Sequence, residues 1–209
     1  MKRLALSLAA ASVIAAVPAV ATAQSNAAGT VVVQPERDGV RFRGGLSLGG
    51  GPFVPWGLSN ISVLGGLGSF HARFGVQFFH AFGVYVQSMN ALGAIAIAKD
   101  TGELTGIVTA QSFNSLLLSL TIGHLLEFAV GPSFDYMGFF GCNSSPACGS
   151  GEGWGLGAHG RASINLGGLI ARGPRRNAFN VGLDLHPMFF LQHGGGLFAA
   201  SFTIGVEWY

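Results

Sequence analysis

The sequence predicts an all-β protein: an eight-stranded antiparallel up-and-down transmembrane β-barrel behind an N-terminal signal peptide. Three observations predict it. The final stretch alternates without a break, with Phe198, Ala200, Phe202, Ile204, Val206 and Trp208 on one parity and Leu197, Ala199, Ser201, Thr203, Gly205 and Glu207 on the other. Strict period two makes a strand with one apolar face and one different face. Charged residues are only 10% of the chain, while the hydrophobic fraction is an ordinary 49% and glycines number 34; soluble domains carry about 25% charge. Finally, every charge inside the expected strands falls on the parity opposite the apolar residues, which independent placement would not produce.

A helical membrane protein needs unbroken apolar runs of about 20 residues. The best stretch beyond the N-terminus, Leu116 to Val130, is interrupted by Ser119, Thr121, His124 and Glu127. Met1 to Ala23 reads as the signal peptide: Lys2 and Arg3 form a positive start, Leu4 to Val17 an apolar run, and Ala21-Thr22-Ala23 a cleavage site of small residues. Its removal takes two of the 11 Lys and Arg and none of the nine Asp and Glu, leaving nine of each and no formal net charge. No basic patch argues for nucleic acid.

Residues 24–38 read as a periplasmic tail, and the barrel as 39–209. Strands are expected at Val40 to Gly49, Ser69 to Phe79, Phe82 to Ser88, Ser115 to Gly123, Leu126 to Tyr136, Trp154 to Leu166, Ala178 to about Pro187, and Leu197 to Tyr209. Each alternates apolar and polar residues. Gly50 to Gly68 and Met137 to Gly153 are expected as long loops. Ala94 to Ala98 and Leu104 to Thr109 flank Lys99-Asp100-Thr101-Gly102-Glu103 and read as a hairpin that extends strands three and four. Recruiting Leu58 to Leu64 would give ten strands but needs an extra pair.

A chain that ends on an alternating aromatic strand behind a secretion signal resembles the small bacterial outer-membrane β-barrels of the OmpA, OmpX and OmpW kind. The likeness is one of architecture and covers the chain from about Val40. It implies an outer-membrane location with both termini in the periplasm. It also implies that barrel-assembly machinery reads the terminal aromatic strand and that lipid surrounds the outer wall. In that superfamily a glycine usually stands five places before the final aromatic; here Gly205 stands four before Tyr209.

The inward parity holds Arg41, Arg43, Arg73, Glu127, Asp135, Arg161, Asp184 and Glu207. An eight-stranded barrel is just wide enough for side chains to fill it, so four Arg and four acids there can pair and close the lumen. Arg41, Arg43 and Glu207 are expected to meet at the end that carries the termini, with Glu127 on the same level. His71, His159 and His186 share the inward parity. If Leu166 pairs near Phe179, His159 faces His186 and Arg161 faces Asp184. Those residues are candidates for acid/base or metal chemistry (catalytic: His159, Asp184, His186), weighed against histidines hydrogen-bonded in a polar core, the reading the sequence favours. The nearest serine in sequence is Ser163, and no motif of a lipid-modifying enzyme is present. No metal site or cofactor is expected.

Cys142 and Cys148 bracket Asn-Ser-Ser-Pro-Ala and, in an oxidising compartment, are expected to form a disulfide. Phe53, Trp56, Leu58, Ile61 and Val63 suggest a hydrophobic mouth for a small apolar molecule or lipid, or packing over the barrel top. Three classes of function follow: a plugged structural or surface-interaction barrel, which is the leading one; a channel or binding protein for small hydrophobic solutes; and a lipid-modifying enzyme.

Overall fold

The structure is a computed structural model that describes residues 39–57, 63–78, 81–98, 104–123, 125–142, 148–166, 177–192 and 194–208. The expected signal peptide and periplasmic tail, Leu58, Ile61, residues 99–103, residues 167–176 and Tyr209 lie outside these residues. So do the side chains of Val63, Cys142 and Cys148.

Eight strands form one closed antiparallel barrel: β1 (Arg41–Trp56), β2 (Val63–Phe78), β3 (Phe82–Ala98), β4 (Leu104–Ile122), β5 (Leu126–Cys142), β6 (Cys148–Asn165), β7 (Asn177–Phe190) and β8 (Gly196–Trp208). Each strand pairs with its sequence neighbours, and β1 pairs with β8 to remove the edges, Gly45 facing Glu207 and Leu48 facing Ile204. The eight-strand reading therefore stands, and the ten-strand alternative does not.

Two expected loops are mostly strand. Gly50 to Trp56 continues β1 and Val63 to Gly68 begins β2, and Met137 to Cys142 and Cys148 to Gly153 belong to β5 and β6. Their glycines and Pro52 hid them, because the alternation there runs between glycine and large side chains. Gly65, for example, leaves the space that the Phe53 ring fills: a Cβ at Gly65 would lie 2.3 Å from that ring. The Ala94–Ala98 and Leu104–Thr109 segments do extend β3 and β4, paired from Val86–Leu116 up to Ala98–Leu104. Between β4 and β5 the chain turns at Gly123, which adopts φ 60°, a conformation that suits glycine.

Parity settles which side chains face out. Phe70, Phe74, Phe128, Phe134, Phe202 and Ile204 are exposed on the outer wall, while Arg73, Arg161 and Asp184 are buried in the lumen. A strand in hydrocarbon must satisfy its backbone within a closed sheet, and this barrel does so with an outer face rich in Leu, Val, Ile and aromatics. Among the described residues no helix is long and apolar enough to cross a membrane.

Candidate functional site

The lumen is the one region where the fold concentrates chemistry, and it is divided by height. At the end that carries the termini lies an ion-pair network. Arg43 of β1 bonds Glu127 of β5 and reaches Glu207 of β8, Nη2 to Oε2, at 2.6 Å. Arg73 of β2 meets the other Glu207 oxygen at 2.5 Å. Tyr85 donates to Glu127 at 2.6 Å, and the Arg43 guanidinium lies 5.3 Å from the Tyr85 ring centroid. Burying charge is costly unless each ion has partners, and here each carboxylate meets guanidinium or hydroxyl groups from several strands.

One level up, Arg161 and Asp184 face each other in the β6–β7 register and bond at 2.6 Å. Arg161 also bonds Asn180, which donates to Asn165 at 2.6 Å. His159 places Nε2 2.7 Å from Asp184 Oδ1 and Nδ1 3.0 Å from Ser115 Oγ. Gln87 donates to Asp184 at 3.1 Å and lies 3.1 Å from Nδ1 of His71, whose Nε2 lies 2.8 Å from Ser69 Oγ. The serine on His159 is therefore Ser115, two strands away on β4, and Ser163 instead donates weakly to Glu127 at 3.5 Å. Sequence distance could not reveal that contact over the intervening strand β5.

The far half of the lumen is mostly apolar, with Thr109, Gln111 and Asp135 buried beside the apolar cluster. Phe53, Met89, Phe113, Met188, Leu197 and Ala199 are fully buried and cluster there. Phe53 thus belongs to the core and not to an exposed mouth. Trp56 lies on the outer wall, edge-on to Phe189 at 5.1 Å between centroids. The expected mouth is not assembled from these two residues. The apolar half was missed because the strands were read too short; on the correct strand lengths, inward parity alone selects Phe53, Met89, Phe113 and Met188.

Of the expected lumen charges, Arg43, Arg73, Glu127, Arg161, Asp184 and Glu207 form the network. Asp135 is buried apart from it and takes a hydrogen bond from Ser133 at 2.8 Å. Arg41, half-buried at the start of β1, lies outside the network among the described residues. Cys142 and Cys148 stand directly opposite in the β5–β6 register.

Ser115, His159 and Asp184 have the connectivity of a hydrolase triad, with the ring nitrogens exchanged relative to the usual arrangement. All three are buried, Ser115 at 2% exposure, and Asp184 is already committed to Arg161. His159, Asp184 and His186 also bring ligand atoms within 4.8 Å of one another. However, the two imidazoles are packed face to face, 3.8 Å between centroids and 31° apart. Metal–nitrogen bonds lie in the ring plane, so His186 must leave this stack before the pair can share an ion. Its two ring nitrogens have no hydrogen-bond partner among the described residues, and Phe113 packs on it at 4.8 Å.

An eight-stranded, closed antiparallel barrel with buried ion pairs in its lumen is the class this fold and site define. No family model and no curated protein matches the sequence. Among solved structures, the chain is similar in fold to Ail, the attachment invasion locus protein of Yersinia pestis, in complex with the heparin analogue sucrose octasulfate. The TM-score is 0.50 at 9% identity, over 80% of this chain and 97% of that one. Neisserial surface protein A gives a TM-score of 0.49 at 10% identity, over 81% and 97% of the two chains. The outer membrane protein OprG from Pseudomonas aeruginosa gives 0.46 at 12%, over 81% and 93%. At these identities the likeness is one of fold.

Proposed function

We propose that this protein is an outer-membrane β-barrel closed along its lumen, which serves as a structural or surface-interaction element and not as a conduit. The observation that carries the reading is the pair of buried side-chain blocks in the lumen. Arg43, Glu127, Glu207 and Arg73 interlock at one end, and Phe53, Met89, Phe113, Met188 and Leu197 pack the other. Water and solutes crossing it would have to displace buried ion pairs and then enter an apolar plug, both unfavourable.

The outer wall supports lipid as the surrounding partner, and the aromatic terminal strand supports barrel-assembly machinery as the partner during insertion. Both termini are in the periplasm in this reading, which leaves the β1–β2, β3–β4, β5–β6 and β7–β8 ends outside for any surface partner. A disulfide between Cys142 and Cys148 would staple one of them.

The test has two arms. Membrane fractionation with unheated against boiled electrophoresis should place a heat-shifted species in the outer membrane. Liposomes carrying the folded protein should take up sugars and small apolar solutes no faster than empty ones. Uptake of apolar solutes above that baseline would favour the channel reading.

A further inference from the structure

The outer wall carries polar side chains where lipid is expected. Ser88 and Asn90 on β3 and Ser112 and Asn114 on β4 have outward parity and form a bonded cluster. Ser88 donates to Asn114 at 2.9 Å, Asn90 to Ser88 at 3.3 Å, and Asn114 to Ser112 at 3.2 Å. Exposed apolar residues lie below, at Val86 and Leu116, and above, at Leu92 and Val108. Lateral neighbours are apolar too: Phe70 pairs with Asn90 and Phe134 with Asn114, and both rings are exposed on the wall. Ser112 alone borders a polar neighbour, Tyr136, which donates to Glu152 at 3.0 Å.

Depth places the cluster within the hydrocarbon. A tilted strand needs about 9–11 residues to cross. On β2 the outward apolar row from Phe78 to Phe70 meets that length, as does Leu126 to Phe134 on β5. On β3 the row stops at Val86, the fifth residue; Ser88 is the seventh and Asn90 the ninth. Counted back from Ile122, Asn114 is the ninth residue of β4.

An amide has two N–H donors and two acceptor sites. Within the cluster the Asn90 carbonyl accepts nothing, and each Asn amide donates one of its two N–H groups. Lipid tails offer no partner for the rest. The four side chains are neutral, and among the described residues the charge that borders them through Tyr136 is the acid Glu152, so the cluster itself offers no cation to an anionic headgroup, which calls for Arg or Lys. A surface holding equal kinds of donor and acceptor complements itself across a two-fold axis. Above the cluster the outward residues Ala94 and Ala110 are small, and small residues let membrane-embedded walls approach closely while polar ones bond across.

We propose that the β3–β4 wall docks against the same wall of a second copy of this chain, with Asn90 and Asn114 bonding across the axis. The inference rests on the membrane placement proposed above. The test uses full-length chain carrying Cys142→Ser and Cys148→Ser, expressed and cross-linked in its native membrane with a short bis-maleimide. Ser112→Cys should give a species of twice the chain's mass, and Phe202→Cys, on the opposite wall, should not. Adding Asn90→Leu and Asn114→Leu to Ser112→Cys should abolish the dimer while the heat-shifted monomer stays in the membrane fraction. Equal cross-linking at both positions, a dimer that survives the two leucines, linkage to a different protein, or no dimer from chain recovered in the membrane would each overturn the proposal. Failure to recover the wild-type chain in the membrane would overturn the underlying functional reading, and this inference with it.

Discussion

Arg43 on the first strand and Glu207 on the last are bonded across the closing seam of the barrel, Nη2 to Oε2 at 2.6 Å. The same guanidinium bonds Glu127 on the fifth strand, on the far side of the lumen. A single side chain therefore ties the seam to the opposite wall. Removing one partner of a buried pair leaves an uncompensated charge and costs roughly 3–5 kcal/mol. Glu207→Ala takes the carboxylate from Arg73 and leaves Arg43 with Glu127, so it should lower the denaturant midpoint of the folded barrel sharply. In a double-mutant cycle, Arg43→Ala with Glu207→Ala should lose clearly less than the sum of the single losses. Additive losses would mean that the two residues do not interact.

The seam also depends on Gly205. A Cβ there would lie 2.1 Å from the Leu46 carbonyl oxygen and 2.4 Å from Ser47 Cβ, so any larger residue forces β1 and β8 apart. Gly205→Ala should reduce the heat-shifted fraction after refolding. Gly160→Ala, where an added Cβ meets open space, should leave it unchanged.

His186 is buried with both ring nitrogens unpartnered among the described residues, stacked on His159 and packed by Phe113. An unsatisfied buried polar group costs about 1–3 kcal/mol. His186→Leu should therefore raise the unfolding midpoint, whereas His159→Leu, which takes a partner from Asp184 and Ser115, should lower it. A destabilised His186→Leu barrel would show that His186 has a bonding role in the folded lumen.

The parity of the strands was legible because an apolar outer wall on one side and a lumen of buried polar side chains on the other force every residue to choose a face. Arg161 facing Asp184 could be read once Leu166 was set near Phe179, a pairing the structure bears out with Leu166 N–H bonded to Phe179 O at 2.7 Å. What could not be read was any contact beyond neighbouring strands. Gln87 on Asp184 joins β3 to β7 across the closed lumen, and Ser115 on His159 and Tyr85 on Glu127 each pass over one strand, so no single pairing register reveals them. Strand ends were lost for a different reason: around Gly50 to Gly68 and Gly149 to Gly155, glycines take the places where a side chain would have marked the alternation. The apolar half of the lumen went with them.

The β5–β6 end bears the two cysteines opposite each other in register. Protein taken from the cell envelope without reductant should resist thiol labelling at Cys142 and Cys148 until it is reduced. A bridge closing so short a loop contributes about 2–3 kcal/mol in the chain-entropy picture, so reduction should lower the unfolding midpoint modestly and leave the heat shift intact. Labelling before reduction would remove the staple from the account.

The central claim is that the lumen is closed. Single-channel recording of the purified, heat-shifted protein in a planar bilayer tests it most directly. Wild type should show no discrete conductance steps over the bare membrane. Steady, unitary steps from folded wild-type protein would mean that ions pass the Arg43–Glu207 network and the Phe53–Phe113–Met188 plug, and would contradict the account.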